Sequence, residues 1–250
     1  MQIEKTTFDK TMKLLKEYGG KNTICTENSD VGLLRILALT DDNVSMIDIL
    51  LNQIADSYLP EILIGDVKFK EIYNKFKSDK SDKINIELDG NSLNIFTDKT
   101  QFHQIVTDTN LLPYIPSSDT STEIIINNDT VDTFKKECNM IKALGGHTYL
   151  GIENGTLRYR MNTNNIEYKM DYDLSYCIHS NCKIVYDNIG EIKTDLSLTH
   201  KYLLKNVKKT VDTRIRITFG DNEWCSTPVF YNLLTDIGYI KYIQAPMMYD

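Results

Sequence analysis

Lys201, Lys205 and Lys208 stand at i, i+4 and i+7 in "HKYLLKNVKKT", with no acid between them. On a helix this spacing puts three ammonium groups on one face, opposite Leu203 and Val207. Similar stretches occur three more times. Lys10, Lys13 and Lys16 occupy the arc opposite Leu15, and Lys135, Lys136 and Lys142 lie within 129–142. Residues 66–83 hold six lysines, of which Lys68 and Lys75 only flank the apolar face. Such groups can neutralise phosphates without reading base sequence. Side chains placed to read base edges are not apparent in these stretches.

The charge is unevenly spread. The four stretches hold 17 basic and 9 acidic residues, a net +8, whereas the remaining 11 basic and 26 acidic residues give −15. The whole chain carries −7, which taken alone argues against a nucleic-acid partner. Any one of these helices, taken alone, reads more readily as a solvated amphipathic face. Four of them, positive in an otherwise negative chain, favour a basic surface.

Other chemistry is sparsely represented. His103, His147, His179 and His200 are scattered, and no HExxH, G-x-S-x-G or phosphate-cradling glycine motif occurs. Asp41-Asp42 and Asp171-x-Asp173 are acidic pairs of a kind that is usually solvated in turns. "CIHSNC" (177–182) lacks a second ligand pair at metal spacing. Five cysteines, an odd and scattered set, fit reduced thiols. No metal or cofactor is expected, and no catalytic residue is assigned. No run of 18 apolar residues occurs, and "MQIEKTTFDK" does not read as a secretory signal. A soluble, intracellular protein with no membrane partner is the expectation.

The lysines must be held by regular elements, and the pattern of those elements repeats. At an offset of 126, Thr7/Thr133, Phe8/Phe134, Lys10/Lys136, Lys16/Lys142, Gly19/Gly145, Gly20/Gly146, Glu27/Glu153 and Asn28/Asn154 coincide. At an offset of 131, residues 67–90 match 198–221 in pattern: amphipathic helix, polar turn, alternating strand. Two ordered matches at so long a period indicate two similar domains.

In 5–18, Phe8, Thr11, Leu14, Leu15 and Tyr18 share one helical face, with Gly19-Gly20 beyond its end. Helix 67–78 is expected to bury Phe69, Ile72, Tyr73 and Phe76. Helix 130–144 is expected to bury Val131, Phe134, Cys138 and Ile141, and helix 199–210 Leu203, Leu204 and Val207. Hairpins are expected to turn at Thr40–Asn43, Asp89-Gly90 and Asn154-Gly155. The expected organisation is a first domain over 1–108, a connecting loop over 109–122 and a second domain over 123–250.

The chain ends on "GYIKYIQAPMMYD", an unusually apolar terminus. The longer stretch "TPVFYNLLTDIGYIKYIQAPMM" (227–248) resembles the closing signature of the proliferating cell nuclear antigen (PCNA) family of DNA sliding clamps. "YLLKNVKKT" (202–210) is similar to that family's last inner helix. "LALTDDNVSM" (37–46) resembles its hydrophobic-pocket loop, and "YIPSSD" (114–119) its interdomain connecting loop.

The resemblance implies an α+β fold of two similar clamp domains, each with two helices on antiparallel sheet. It implies a homotrimeric ring around duplex DNA, active in replication and repair. The phosphate contacts would be Lys10, Lys13, Lys68, Lys75, Lys136, Lys142, Lys201, Lys205 and Lys208. A pocket for short apolar motifs of DNA polymerase and other partners would be formed by Leu39, Val44, Ile115, Pro116, Ala245, Pro246 and Met247. Subunits would join through Phe102 and Ile105 of one chain and Ile166, Tyr168 and Met170 of the next. A clamp loader is an implied partner. The implied location is the nucleus in a eukaryote or the replication site of a virus. The connecting loop is short and rich in Ser and Thr, and the tail lacks the longer acidic extension of many members. A processivity factor that binds DNA without a ring, and an α+β enzyme, are the alternatives.

Overall fold

In the computed structural model, the described residues are 2–19, 22–26, 34–51, 65–106, 119–126, 131–136, 138–139, 147–153, 156–162, 167–173, 188–194, 196–206, 214–219 and 228–245. The chain divides into two compact units. The first is Met1–Tyr114 with Asp236–Ile240, and the second is Ile115–Thr235 with Lys241–Asp250.

The first unit begins with β1 (Gln2–Glu4) and α1 (Lys5–Leu15). β2 (Asn22–Thr26), β3 (Leu34–Leu39) and β4 (Ser45–Leu51) form an antiparallel run. α2 (Phe69–Phe76) then leads into β5 (Lys83–Asp89), β6 (Ser92–Phe96) and β7 (Gln101–Ile105). The sheet order is β1-β5-β6-β7. β6 alternates half-buried and buried residues, as expected of a strand with one face on a core. β3 and β4 are buried on nearly every residue.

Turn chemistry sets the hairpins. Gly90 adopts φ +53 between β5 and β6, a conformation that glycine enters without steric cost. Between β3 and β4, Thr40 N–H donates to the Ser45 carbonyl at 2.9 Å. Ser45 N–H donates to Thr40 Oγ1 at 3.0 Å, and Val44 N–H to Asp42 Oδ1 at 3.1 Å. Asn43 takes φ 56, which Asn tolerates better than most residues.

α1 buries Phe8, Thr11, Met12, Leu14 and Leu15, and Tyr18 beyond its end is buried too. The expected face is therefore present, widened by Met12. The helix ends at Leu15 and does not run to the glycine pair; Lys16 N–H bonds the Met12 carbonyl and Tyr18 N–H the Leu15 carbonyl. α2 buries Phe69, Ile72 and Phe76, whereas Tyr73, expected in the core, is half-buried.

The second unit repeats the plan. β8 (Asp119–Ile126) is followed by a helix, α3, whose described residues are 131–136 and 138–139 and in which Val131, Phe134 and Cys138 are buried. β9 (His147–Glu153), β10 (Thr156–Asn162), β11 (Glu167–Asp173) and β12 (Asn188–Thr194) form a sheet of order β11-β10-β9-β12. Glu153 pairs with Thr156, so β9 and β10 flank the expected Asn154-Gly155 turn, which lies outside the described residues. Ile141 and Val207 also lie outside them. α4 (Leu196–Thr199) continues into a π-helical turn (His200–Leu204), and β13 (Arg214–Phe219), β14 (Val229–Thr235) and β15 (Gly238–Gln244) close the chain. The order β8-β13-β14-β15 reproduces β1-β5-β6-β7, so the duplication read from the sequence is visible as topology.

Candidate nucleic-acid interface

α1 exposes Thr6 and Lys13 to solvent, flanked by half-buried Asp9, Lys10, Lys16 and Glu17. Three of its four neighbouring lysines have partners. Lys5 is buried and its Nζ donates to Asp9 at 2.6 and 2.7 Å. Lys10 Nζ donates to Asp236 Oδ2. Lys16 Nζ lies 4.8 Å above the centre of the Tyr73 ring on α2, a cation–π contact that joins the two helices. Among the described residues, no acid is ion-paired with Lys13.

A side chain from β7 reaches the start of α2. Lys68 N–H donates to Gln104 Oε1 at 3.2 Å, and Gln104 Nε2 donates to the Asp66 carbonyl at 2.8 Å. Gln104 thus serves one of the free N–H groups at the helix start from strand β7. Nothing in local sequence spacing marks this role. Lys70 and Lys75 are exposed on α2, and Lys77 is exposed just after its end. Lys68 is exposed as well but lies 3.5 Å from Glu71. Lys75 is among the expected phosphate contacts, whereas Lys70 and Lys77 are exposed cations outside that set.

In the second unit, Lys136 is exposed on α3. Lys142 and Lys208 lie outside the described residues. The spacing Lys201–Lys205 assumed a regular α-helix over 199–210. The turn His200–Leu204 is instead π-helical, closed by Lys205 N–H to the His200 carbonyl at 2.9 Å. The wider turn buries His200, Tyr202, Leu203 and Leu204 together. Lys201 is consequently half-buried, with its Nζ 2.8 Å from the Tyr202 hydroxyl, while Lys205 is exposed.

The other expected sites are only partly described. Leu39 and Val44 are half-buried at the two ends of the stiff β3–β4 turn, and Ala245 is half-buried after β15. Ile115, Pro116, Pro246 and Met247 lie outside the described residues. Among the described residues, β7 is an edge strand of its sheet and β11 is an edge strand of another. On β7, Ile105 is 77% exposed, whereas Phe102 is turned into its own unit's core. Tyr168 pairs in register with Met161, and Met170 with Tyr159, on β10; Ile166 lies outside the described residues. Among the described residues no group of three or more His, Cys, Asp or Glu could hold a metal ion. No helix among them is long and apolar enough to cross a membrane.

No family model matches the chain, and no curated protein matches it in sequence. Solved structures do match. PCNA of A. fulgidus, with the C-terminal region of FEN-1 bound, aligns over 100% of this chain and 98% of its own at TM-score 0.74 and 14% identity. The PCNA2–PCNA3 complex of Sulfolobus tokodaii aligns over 98% and 99% at TM-score 0.65 and 18% identity. The DNA polymerase III beta subunit of Thermotoga maritima aligns over 100% of this chain but 65% of its own, at TM-score 0.67 and 17% identity. Matches that span this chain in both groups, together with the repeated helix-and-sheet unit, give it the α+β fold of a PCNA-like sliding clamp.

Proposed function

We propose that this chain is a DNA sliding clamp: a non-enzymatic ring that encircles duplex DNA and carries replication and repair proteins along it. One observation carries the reading. Exposed lysines stand on the first helix of each repeat, Lys13 on α1 and Lys136 on α3, and near the second, Lys75 on α2 and Lys205 after the π-helical turn. A duplicated fold that offers cations at both helical positions suits a sequence-independent phosphate backbone. Lys10, Lys68 and Lys201 are part of the proposed set but have local partners. Lys142 and Lys208 complete the proposed set.

The two edge strands support a ring closed by strand pairing. An edge strand offers unpaired backbone groups to another chain. Pairing β7 of one copy with β11 of the next is a heterologous contact, which closes when the rotation allows it. Three copies would provide six repeats, and a clamp loader would open the ring.

A. fulgidus PCNA holds the C-terminal region of FEN-1. By analogy, Leu39 and Val44 provide apolar contacts for a partner's short motif, with Ile115, Pro116, Ala245, Pro246 and Met247 as further contributors. Changing Lys13, Lys75, Lys136 and Lys205 to Glu should abolish salt-sensitive duplex binding while peptide capture persists. Val44→Lys should do the reverse. A quadruple variant that binds duplex as the parent does would defeat the DNA reading.

A further inference from the structure

Lys10 and Asp236 are 226 residues apart in sequence, yet their side chains form an ion pair within the first unit. The carboxylate is held by its surroundings. Asp236 lies in the turn between β14 and β15, next to Ile237, which is 7% exposed. Two residues on, Gly238 adopts φ +132, and a Cβ there would come within 2.1 Å of the Leu50 carbonyl oxygen. A turn seated this closely cannot swing its acid away freely.

On the other side, Lys10 is one helical turn from Lys13, which has no acid ion-paired with it among the described residues. α1 therefore presents adjacent cations in different states. One is open to solvent and the other is already neutralised by an internal anion. A carboxylate and a DNA phosphate compete for the same ammonium group, because both are oxyanions that accept its N–H donors.

We propose that Asp236 limits the grip of this chain on DNA by holding Lys10 out of the phosphate-binding set. This rests on the reading of the helices as a phosphate-contacting surface and assigns one of its regulators. The acid has a use in a protein that must move along its ligand: each further phosphate contact deepens binding and makes it more salt-dependent.

The test is the salt dependence of duplex DNA binding, measured for the parent, Asp236→Asn, Asp236→Ser and Asp236→Asn/Lys10→Gln. Thermal unfolding of each confirms a folded protein. Both single variants should bind more tightly than the parent at low salt. The slope of log affinity against log salt should steepen by about 0.9, the value for one added phosphate contact on B-DNA. The double variant should return to the parent's slope. Asp89→Asn, which removes an exposed acid from the end of β5, controls for net charge and should leave the slope unchanged. Parent-like slopes for both Asp236 variants, or a steeper slope that survives loss of Lys10, would overturn the proposal. Lys13→Gln and Lys75→Gln separate the two levels. If they flatten the slope while the Asp236 variants do nothing, only the inference fails. If they change nothing either, the phosphate reading fails and takes the inference with it.

Discussion

The Phe8 and Phe76 rings meet edge to face, with centroids 5.5 Å apart and planes inclined at 74°. Both rings are fully buried, one on α1 and the other at the end of α2. This contact, with the Lys16–Tyr73 contact near it, fixes how the two lysine-bearing helices of the first unit lie together. Phe8→Ala removes the ring and leaves a cavity, at a cost of about 3–5 kcal/mol. Chemical denaturation should show that loss. Duplex affinity should fall as well, although Phe8 touches no solvent, because Lys13 and Lys75 lose their common support.

Asp79 supplies a pH dependence. A Thr100 side-chain hydrogen bond, then Ser81 through its side chain and backbone N–H, hold its carboxyl well below the usual carboxylate range; desolvation opposes them. Ser81 N–H donates at 2.8 Å, and Thr97 Oγ1 also donates at 2.8 Å. A lowered folded-state pKa means that the contribution is fully present above the unfolded value, about 3.9. It is lost as pH falls from there through the folded value. Asp79→Asn should therefore lower stability at neutral pH, by roughly 1 kcal/mol for a solvent-accessible cluster. It should also flatten the acid side of the stability profile below about pH 4. Unfolding curves across pH check both.

Ile105 tests the proposed ring edge. It is 77% exposed on β7, so Ile105→Glu should change monomer stability by no more than about 0.5 kcal/mol. A charge on a strand edge nevertheless opposes pairing with another chain. Light scattering should give the parent three times 28.8 kDa and the variant a single chain's mass. Tyr168→Glu, on the opposite edge β11, should act in the same way. Two variants that keep the parent's mass would place the subunit contact elsewhere.

Much of this fold was legible because its signals are local. Asp89-Gly90 encodes a turn that only a few residue types enter, and Gly90 is found at φ +53. Phe8, Leu15, Phe69 and Phe76 recur at helical spacing and are buried as that spacing implies. The duplication was legible because two matches preserve order, and the sheet orders repeat accordingly. What local spacing cannot carry was missed. The π-helical turn at His200–Leu204 buries Tyr202, Leu203 and Leu204 together and leaves Lys201 half-buried, a shift of phase that residue spacing alone does not signal. Partners distant in the chain, Asp236 for Lys10 and Gln104 for the start of α2, leave no trace in the pattern of either segment.

The most direct test of a ring is topological and needs no loader. The chain is incubated with linear duplex DNA biotinylated at both ends, streptavidin is added to block the ends, and the salt is raised until phosphate contacts no longer hold. A ring threaded on the duplex should remain on blocked DNA and be lost from unblocked DNA of the same length. Equal loss from both would contradict encirclement and leave a protein that binds DNA only from outside.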